Sequence, residues 1–204
     1  MDILVTDAGL KREILRQRRA RGLDHHDEVW NGVYVMSPLA NNDHQRLVAR
    51  LCYVLQEAVG FDSPIEVRPG VNVSDRDEDW EKNYRVPDVV LRLPDGAAQD
   101  RGEYWLGGPD FLIEVASRGD RSRKKRPFYA SIGVREMMVV DRNPWAIELY
   151  RLAEGEMQLV GKSTLAESIQ VASAVVPLAF RLVEQDGKPW IEVVHRQDGR
   201  RWLV

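Results

Sequence analysis

The stretch Phe111-Leu112-Ile113-Glu114-Val115-Ala116 is a nearly continuous apolar run that contains a single acid, Glu114. Short apolar runs of this kind are typical of strands buried on both faces, so this one is predicted to be central in a sheet. A carboxylate inside such a strand is costly unless a partner compensates its charge. This cost is the first indication that Glu114 has a function.

A second acid, Asp88, lies in a comparable setting, because it follows a proline at the start of a predicted strand over residues 87–93. Lys125 follows the Glu114 strand, on a helix predicted over residues 121–132. Two carboxylates and an ammonium are a minimum set for holding a divalent cation and directing a water at a phosphodiester. Oxygen ligands favour Mg²⁺ or Mn²⁺. The sequence therefore predicts this chemistry at Asp88, Glu114 and Lys125, although Lys125 judged alone also fits a solvated helix position.

Basic residues are concentrated in two runs, although the net charge of −3 argues against a strongly basic coat for nucleic acid. Residues 11–21 hold six basic residues and one acid, which is typical of a solvated helix face. Residues 118–126 have the same balance and directly follow the Glu114 strand. We therefore expect this second run to contact backbone phosphates without sequence preference, through Arg118, Arg121, Arg123 and Lys124.

Size and composition indicate an ordinary globular protein of 204 residues, 44% of them hydrophobic and 30% charged. The single cysteine, Cys52, excludes an internal disulfide. No apolar run approaches the roughly 18 residues of a membrane span, and the N-terminus lacks a signal-peptide core. A cytoplasmic protein with no membrane contact is therefore expected.

Local patterns predict the order of the elements. The Asn31-Gly32 pair between two apolar runs is a strong signal for a hairpin. Spacing and turn residues predict helices over 10–20 and from a cap at Asn42 or Asp43 to 59, strands over 65–73, 134–140 and 146–152, loops over 74–85 and 99–109, and a β-rich tail. This order indicates an α/β or α+β domain with a mixed sheet.

Several blocks in this order carry a resemblance to a known family. They are EVWNGVYVMSP (28–38), His44, PDVV (87–90), GPDFLIEVAS (108–117), KRPFYASIGVRE (125–136) and VVD (139–141). With these blocks the chain resembles the bacterial Uma-type family of restriction-endonuclease-like proteins, within the PD-(D/E)XK nuclease superfamily. The similarity covers roughly residues 10–152.

The resemblance implies a restriction-endonuclease-like core with a mixed central β-sheet flanked by helices. One domain over residues 1–204 is expected, with its core at about 10–152 and a β-rich C-terminal extension at about 153–204. Superfamily members often pair to cut both strands, which implies a homodimer.

The resemblance also implies roles for particular residues. Asp88 and Glu114 match the metal-binding acids, and the carbonyl of Val115 matches a backbone ligand. Lys125 matches a lysine that this family has moved from the strand to the next helix, because Ala116 occupies the usual superfamily position. Glu28 matches an additional acid that lies beside the metal or acts as a base. His44 matches a histidine that contacts a phosphate or transfers a proton.

Two departures from the family pattern stand out. Residues 117–120 replace a Ser-Pro-Ser-like turn, which affects the expected phosphate loop, and Met137-Met138 replace aromatic residues. Outside the blocks, His25 and His26 are interpreted as surface residues, because neighbours on a strand point to opposite faces. Trp105 is interpreted as a loop anchor or, less simply, as a platform for stacking a base.

The leading hypothesis is a Mg²⁺-dependent or Mn²⁺-dependent endonuclease that hydrolyses phosphodiester bonds in nucleic acid, with DNA as the expected substrate. The alternative is a non-catalytic nucleic-acid-binding or assembly module that retains the nuclease fold. A third possibility is a protein that cleaves only with another subunit, which would bind metal without cutting bare DNA.

Overall fold

The computed structural model describes residues 7–37, 40–116 and 121–204. Its α-helices are α1 (Ala8–Ala20), α2 (Asn42–Val59) and α3 (Arg126–Ser131). Its strands are β1 (Glu28–Trp30), β2 (Val33–Val35), β3 (Glu66–Pro69), β4 (Val73–Ser74), β5 (Tyr84–Arg85), β6 (Val89–Arg92), β7 (Gln99–Asp100), β8 (Trp105–Leu106), β9 (Phe111–Ala116), β10 (Glu136–Arg142), β11 (Trp145–Ala153), β12 (Glu156–Thr164), β13 (Val171–Ala172), β14 (Leu178–Gln185), β15 (Lys188–His195) and β16 (Arg201–Leu203). No helix within these ranges is both long and apolar enough to span a membrane.

The central sheet has the strand order β12-β11-β10-β9-β6-β3. The pair β9 and β10 is parallel, whereas the other neighbours are antiparallel, so the sheet is mixed as predicted. All six residues of β9 are buried, which confirms that the FLIEVA stretch is an interior strand. The fold is α+β, and β9 lies at its centre with Glu114 in it.

A second sheet consists of short strands in the order β2-β1-β5-β4-β8-β7. The predicted hairpin of β1 and β2 is confirmed, with positive φ angles at Asn31 and Gly32. The single strand predicted over residues 65–73 is wrong, because Gly70 takes a φ of 62° and separates β3 from β4. The predicted loops over 74–85 and 99–109 also contain β5, β7 and β8. Strands of two residues leave no alternation that a sequence pattern can reveal.

The C-terminal residues form a third, antiparallel sheet in the order β13-β14-β15-β16. It packs on the central sheet, and the rings of Phe111 and Phe180 stack with centroids 6.3 Å apart. Glu136 at the start of β10 strengthens this junction, because it accepts hydrogen bonds from Ser173 and from the backbone of Ala174. The shared core supports our proposal that the chain is one domain.

Helix α2 begins one residue earlier than predicted. Its N-cap is Asn41, whose side chain accepts a hydrogen bond from the His44 N–H at 2.9 Å, rather than Asn42 or Asp43. Its last residue is Val59, and Gly60 follows with a φ of 88°, as predicted. The cap fixes the orientation of the first turn, and therefore of His44.

The helix predicted over residues 121–132 is helical within one residue of those bounds, but it is not one regular α-helix. A 3₁₀ turn over Ser122–Lys125 comes first, and α3 follows it. Pro127 explains the change, because it has no N–H to donate within a longer helix and is well tolerated in a first turn. Lys125 therefore lies at the end of a tight turn rather than within a regular α-helix.

Gly108 lies where the chain enters β9, and we expect Gly108→Ala to destabilise the fold. A Cβ there would lie 2.6 Å from the Val134 nitrogen and 2.8 Å from the Ile132 carbonyl oxygen, both of which are backbone atoms. The backbone must therefore shift, at a cost of about 1–3 kcal/mol in the free energy of unfolding. Urea denaturation would measure the loss, with the exposed Ala97→Ser as a control. An unchanged midpoint for Gly108→Ala would contradict this close packing.

Candidate active site

Asp88 and Glu114 meet where two strands of the central sheet run side by side. The antiparallel register of β6 and β9 sets Val89 opposite Ile113, and its continuation sets Asp88 opposite Glu114. The Oδ2 atom of Asp88 accepts a hydrogen bond from the N–H of Val115 at 2.6 Å. The structure thus brings together the two acids that the sequence singled out.

The carboxylate of Glu114 is buried and receives three side chains. The Nζ atom of Lys125 lies 2.9 Å from Oε1 and 3.1 Å from Oε2. The hydroxyl of Tyr129 donates to Oε1 at 2.5 Å, and that of Ser122 donates to Oε2 at 3.4 Å. The turn and α3 therefore hold one cation and two neutral donors against one carboxylate.

Glu28 reaches the same ammonium from the hairpin strand β1. Its Oε1 atom lies 2.7 Å from Nζ of Lys125 and accepts the N–H of Val86 at 2.8 Å. Its Oε2 atom accepts the indole N–H of Trp30 at 2.6 Å. Lys125 thus bridges Glu28 and Glu114, which lie on different sheets.

His44 contacts the other acid. Its Nε2 atom lies 3.0 Å from Oδ1 of Asp88, so Asp88 is held between an imidazole and a backbone amide. The Nδ1 atom of His44 is buried and has no hydrogen-bond partner within the described ranges. A buried polar atom of this kind is costly unless something else satisfies it, such as a water or a ligand.

Burial dominates the electrostatics of the cluster. It raises the pKa of Glu114 above its ordinary value, because the charged form loses water; Lys125 and Tyr129 oppose this shift, whereas Asp88 and Glu28 add to it. Burial alone would lower the pKa of Lys125, but attraction to Glu114 and Glu28 outweighs it and holds that pKa above the usual range. The ammonium is therefore a fixed positive charge among carboxylates.

Asp88 and His44 line a cleft of about 300 Å³. His25 and His26 also line this cleft, and both are exposed. From the sequence we interpreted both histidines as surface residues, and no local pattern indicated that they lie beside Asp88. The fold packs the segment before β1 against the start of β6, and this tertiary contact brings both histidines to Asp88.

Comparison with known proteins gives the family. A family model described as "Uma2: Putative restriction endonuclease" matches residues 13–182. The chain belongs to the Uma2 family. A solved structure of a "putative nuclease belonging to DUF820" from Anabaena variabilis ATCC 29413 has the same fold, with a TM-score of 0.56 and 14% identity over 72% of this chain and 80% of that chain. A comparison with curated proteins finds no significant match.

Membership of Uma2 assigns the chain to a nuclease-like family, within a fold class that generally uses divalent metals. Asp88 and Glu114 offer the hard oxygen donors that such ions prefer. No three His, Cys, Asp or Glu side chains within residues 7–37, 40–116 and 121–204 are grouped as a metal site. The donor chemistry therefore fits an ion held by two carboxylates and completed by backbone oxygen or solvent.

The charge balance points the same way. Three carboxylates, of Glu28, Asp88 and Glu114, face one bonded ammonium, that of Lys125. The buried guanidinium of Arg85 also interacts with the charge of Glu28, although it donates hydrogen bonds to the carbonyls of β1 and β5. Burial and the carboxylates of Asp88 and Glu28 raise the pKa of Glu114, so ionisation of all three acids, which would leave one negative charge over, would be favoured by a bound cation.

Of the basic residues that we expect to contact phosphates, Arg121, Arg123 and Lys124 lie in or beside the turn that carries Lys125. Arg123 donates to Glu148 at 2.8 Å and to Asp141 at 3.1 Å, so its charge is already paired. Arg121 is half-buried and Lys124 is exposed. Arg118 falls outside the described residues. Their contact with nucleic acid stays a prediction.

Sequence reasoning missed Tyr129, Ser122 and Trp30, which hydrogen-bond the two buried glutamates. The four-residue spacing from Lys125 to Tyr129 was the available signal, since side chains at that spacing share a helix face. Trp105 is 1% exposed, which rules out the base-stacking interpretation and supports its role as an anchor.

Proposed function

We propose that this protein is a divalent-metal-dependent endonuclease that hydrolyses phosphodiester bonds in nucleic acid, with DNA as the expected substrate. The observation that carries the proposal is the hydrogen bond between Asp88 and the Val115 N–H. It fastens two adjacent strands so that their carboxylates lie beside a buried lysine, and one of these carboxylates, that of Asp88, lines an open cleft. Asp88, Glu114 and the Val115 carbonyl would hold the ion, with Mg²⁺ or Mn²⁺ favoured by the oxygen donors.

A divalent ion bound there would acidify a water and offset negative charge on the phosphate. The remaining roles belong to the chain itself. Lys125, held in place by Glu28, would donate an N–H to a phosphate oxygen as negative charge develops. Tyr129 would keep Glu114 oriented through its hydrogen bond. His44 would do the same for Asp88 and would present its unsatisfied Nδ1 side to the substrate or a proton-carrying water.

Binding of the nucleic-acid backbone would draw on Arg118, Arg121, Arg123 and Lys124. For Arg123 this requires exchange of its bonds to Glu148 and Asp141 for a phosphate. Phosphate contacts of this kind carry no sequence information, so they would position the chain rather than select a site. Affinity should therefore fall steeply as salt rises.

The test is a titration of Mg²⁺ and Mn²⁺ by calorimetry into wild type, Asp88→Ala and Glu114→Ala, with the same samples assayed on plasmid and single-stranded DNA. We expect metal binding in wild type alone, together with metal-dependent nicking. The exposed Asp43→Ala, at the start of α2, is a matched acidic control that should behave as wild type. Binding without nicking would point to a required partner subunit.

One observation favours a second candidate, a non-catalytic nucleic-acid-binding or assembly module. Glu28 and Glu114 already share the ammonium of Lys125, so two of the three acids have a partner without any metal. In that case neither wild type nor the variants would bind metal, and no nicking would occur on any DNA.

A further inference from the structure

The cleft at Asp88 continues into a second groove along α2. This groove has a volume of about 400 Å³ and shares Gln45, Val48 and Pro69 with the cleft. The two are therefore parts of one continuous depression, which we call the α2 trough. It begins at the candidate catalytic residues and leads away from them along the helix.

One face of α2 forms the wall of the trough. The lining positions 45, 48, 49, 52, 53 and 56 recur at steps of three and four, which places them on a single helix face. The helix buries a neighbouring face, at positions 47, 51, 54 and 55, in the core. The trough face is in part open to solvent, as the exposure of Gln45, Ala49 and Tyr53 shows.

The two ends of the α2 trough differ in chemistry. The end at Asp88 carries the exposed imidazoles of His25 and His26, which can donate hydrogen bonds to phosphate oxygens. The far end carries two exposed aromatic side chains, Tyr53 at 56% and Phe61 at 68%. Hydrogen-bond donors at one end and aromatic rings at the other suit a phosphate at one point of a strand and bases further along it.

The lining also discriminates between forms of nucleic acid. None of the described residues that line the trough is Lys or Arg. A duplex keeps its bases inside and turns its phosphates outward, and the described part of the lining offers no Lys or Arg to those phosphates. Unpaired bases instead stack on aromatic side chains, and they do so whatever their sequence.

We propose that the α2 trough binds unpaired nucleic acid, with the scissile phosphate at His26, His44 and Asp88 and with bases further along the same strand stacked on Tyr53 and Phe61. The proposal rests on the nuclease function proposed above and names its substrate class. The distance from His44 to Tyr53 along the helix is about 14 Å. This is the length of about four stacked nucleotides.

The experiment is fluorescence anisotropy with a labelled single-stranded DNA of about 12 nucleotides and the matching blunt duplex, with Ca²⁺ in place of Mg²⁺. We expect wild type to bind the single strand more tightly. Tyr53→Ala and Phe61→Ala should each weaken single-strand binding by at least about fivefold, with little effect on the duplex. Ile169→Ala removes a comparably exposed apolar side chain that lines neither part of the trough, and it should leave binding unchanged.

A parallel cleavage assay in Mg²⁺ separates this inference from the function on which it rests. Equal affinity for both DNAs, or unchanged single-strand affinity in a Tyr53→Ala/Phe61→Ala double variant, overturns the inference but leaves the nuclease in place if wild type still cuts. A wild type that neither binds nor cuts either DNA overturns both. A change of oligomeric state in the double variant, with unaltered DNA affinity, would identify the trough as a contact between copies and overturn the inference.

Discussion

Replacement of Lys125 with alanine is expected to lower the free energy of unfolding by about 3–5 kcal/mol. Lys125 is 8% exposed and lies between Glu28 and Glu114, at 2.7 and 2.9 Å. Its loss leaves two buried carboxylates without their shared cation. For a domain of this size the melting temperature should fall by at least about 6 °C, which differential scanning fluorimetry would detect.

A double-mutant cycle shows whether the effect comes from the ion pair. Lys125→Met keeps the apolar stem, and Glu114→Gln keeps the shape of the partner while it removes the charge. The double variant should recover part of the stability lost in Lys125→Met, because fewer charges are then left unpaired. Additive losses would mean that the two side chains stabilise the fold independently, which would contradict the bridge.

Cleavage must therefore be compared at temperatures where the variants are folded. Under those conditions Lys125→Met should cut DNA at least about 100-fold more slowly than wild type, since a donor to the developing charge is lost. This loss of activity would be separate from the loss of stability. A folded Lys125→Met with unchanged activity would remove Lys125 from the catalytic set.

Local chemistry made the central elements of the fold predictable. The FLIEVA run indicated an interior strand because no polar face remains for solvent, and β9 has the predicted limits. The hairpin followed from Asn31-Gly32, whose positive φ angles a tight turn requires. In both cases adjacent residues carry the whole signal.

Other elements depend on contacts between distant residues, and the sequence pattern missed them. The strands β4, β5, β7 and β8 each contain two residues and exist only because a partner strand lies beside them. The same limit applies to the site. Asp88, Glu114 and Lys125 stood out as costly charges beside apolar runs, whereas the approach of His25 and His26 to Asp88 is a tertiary contact without a local signature.

Conversion of Asp88 to asparagine is expected to have opposite effects on stability with and without metal. In the absence of metal, the carboxylate of Asp88 adds to the negative charge around the buried Glu114. Asparagine removes that charge, and it can still accept the Val115 N–H and donate to His44. The metal-free variant should therefore be about 1 kcal/mol more stable than wild type, because functional sites keep charges that destabilise the fold.

Addition of Mg²⁺ or Mn²⁺ should reverse this order. A ligand that binds only the folded state at 100 times its Kd stabilises that state by about 2.7 kcal/mol, and this gain should appear in wild type but not in Asp88→Asn. Thermal melts of both proteins in EDTA and across a metal titration measure the crossing directly. A variant less stable than wild type in EDTA would make Asp88 a structural residue, and an equal response to metal would exclude it as a ligand. This reversal in the order of stability is expected if Asp88 is a metal ligand, because the carboxylate that destabilises the metal-free fold is the one whose charge the ion compensates.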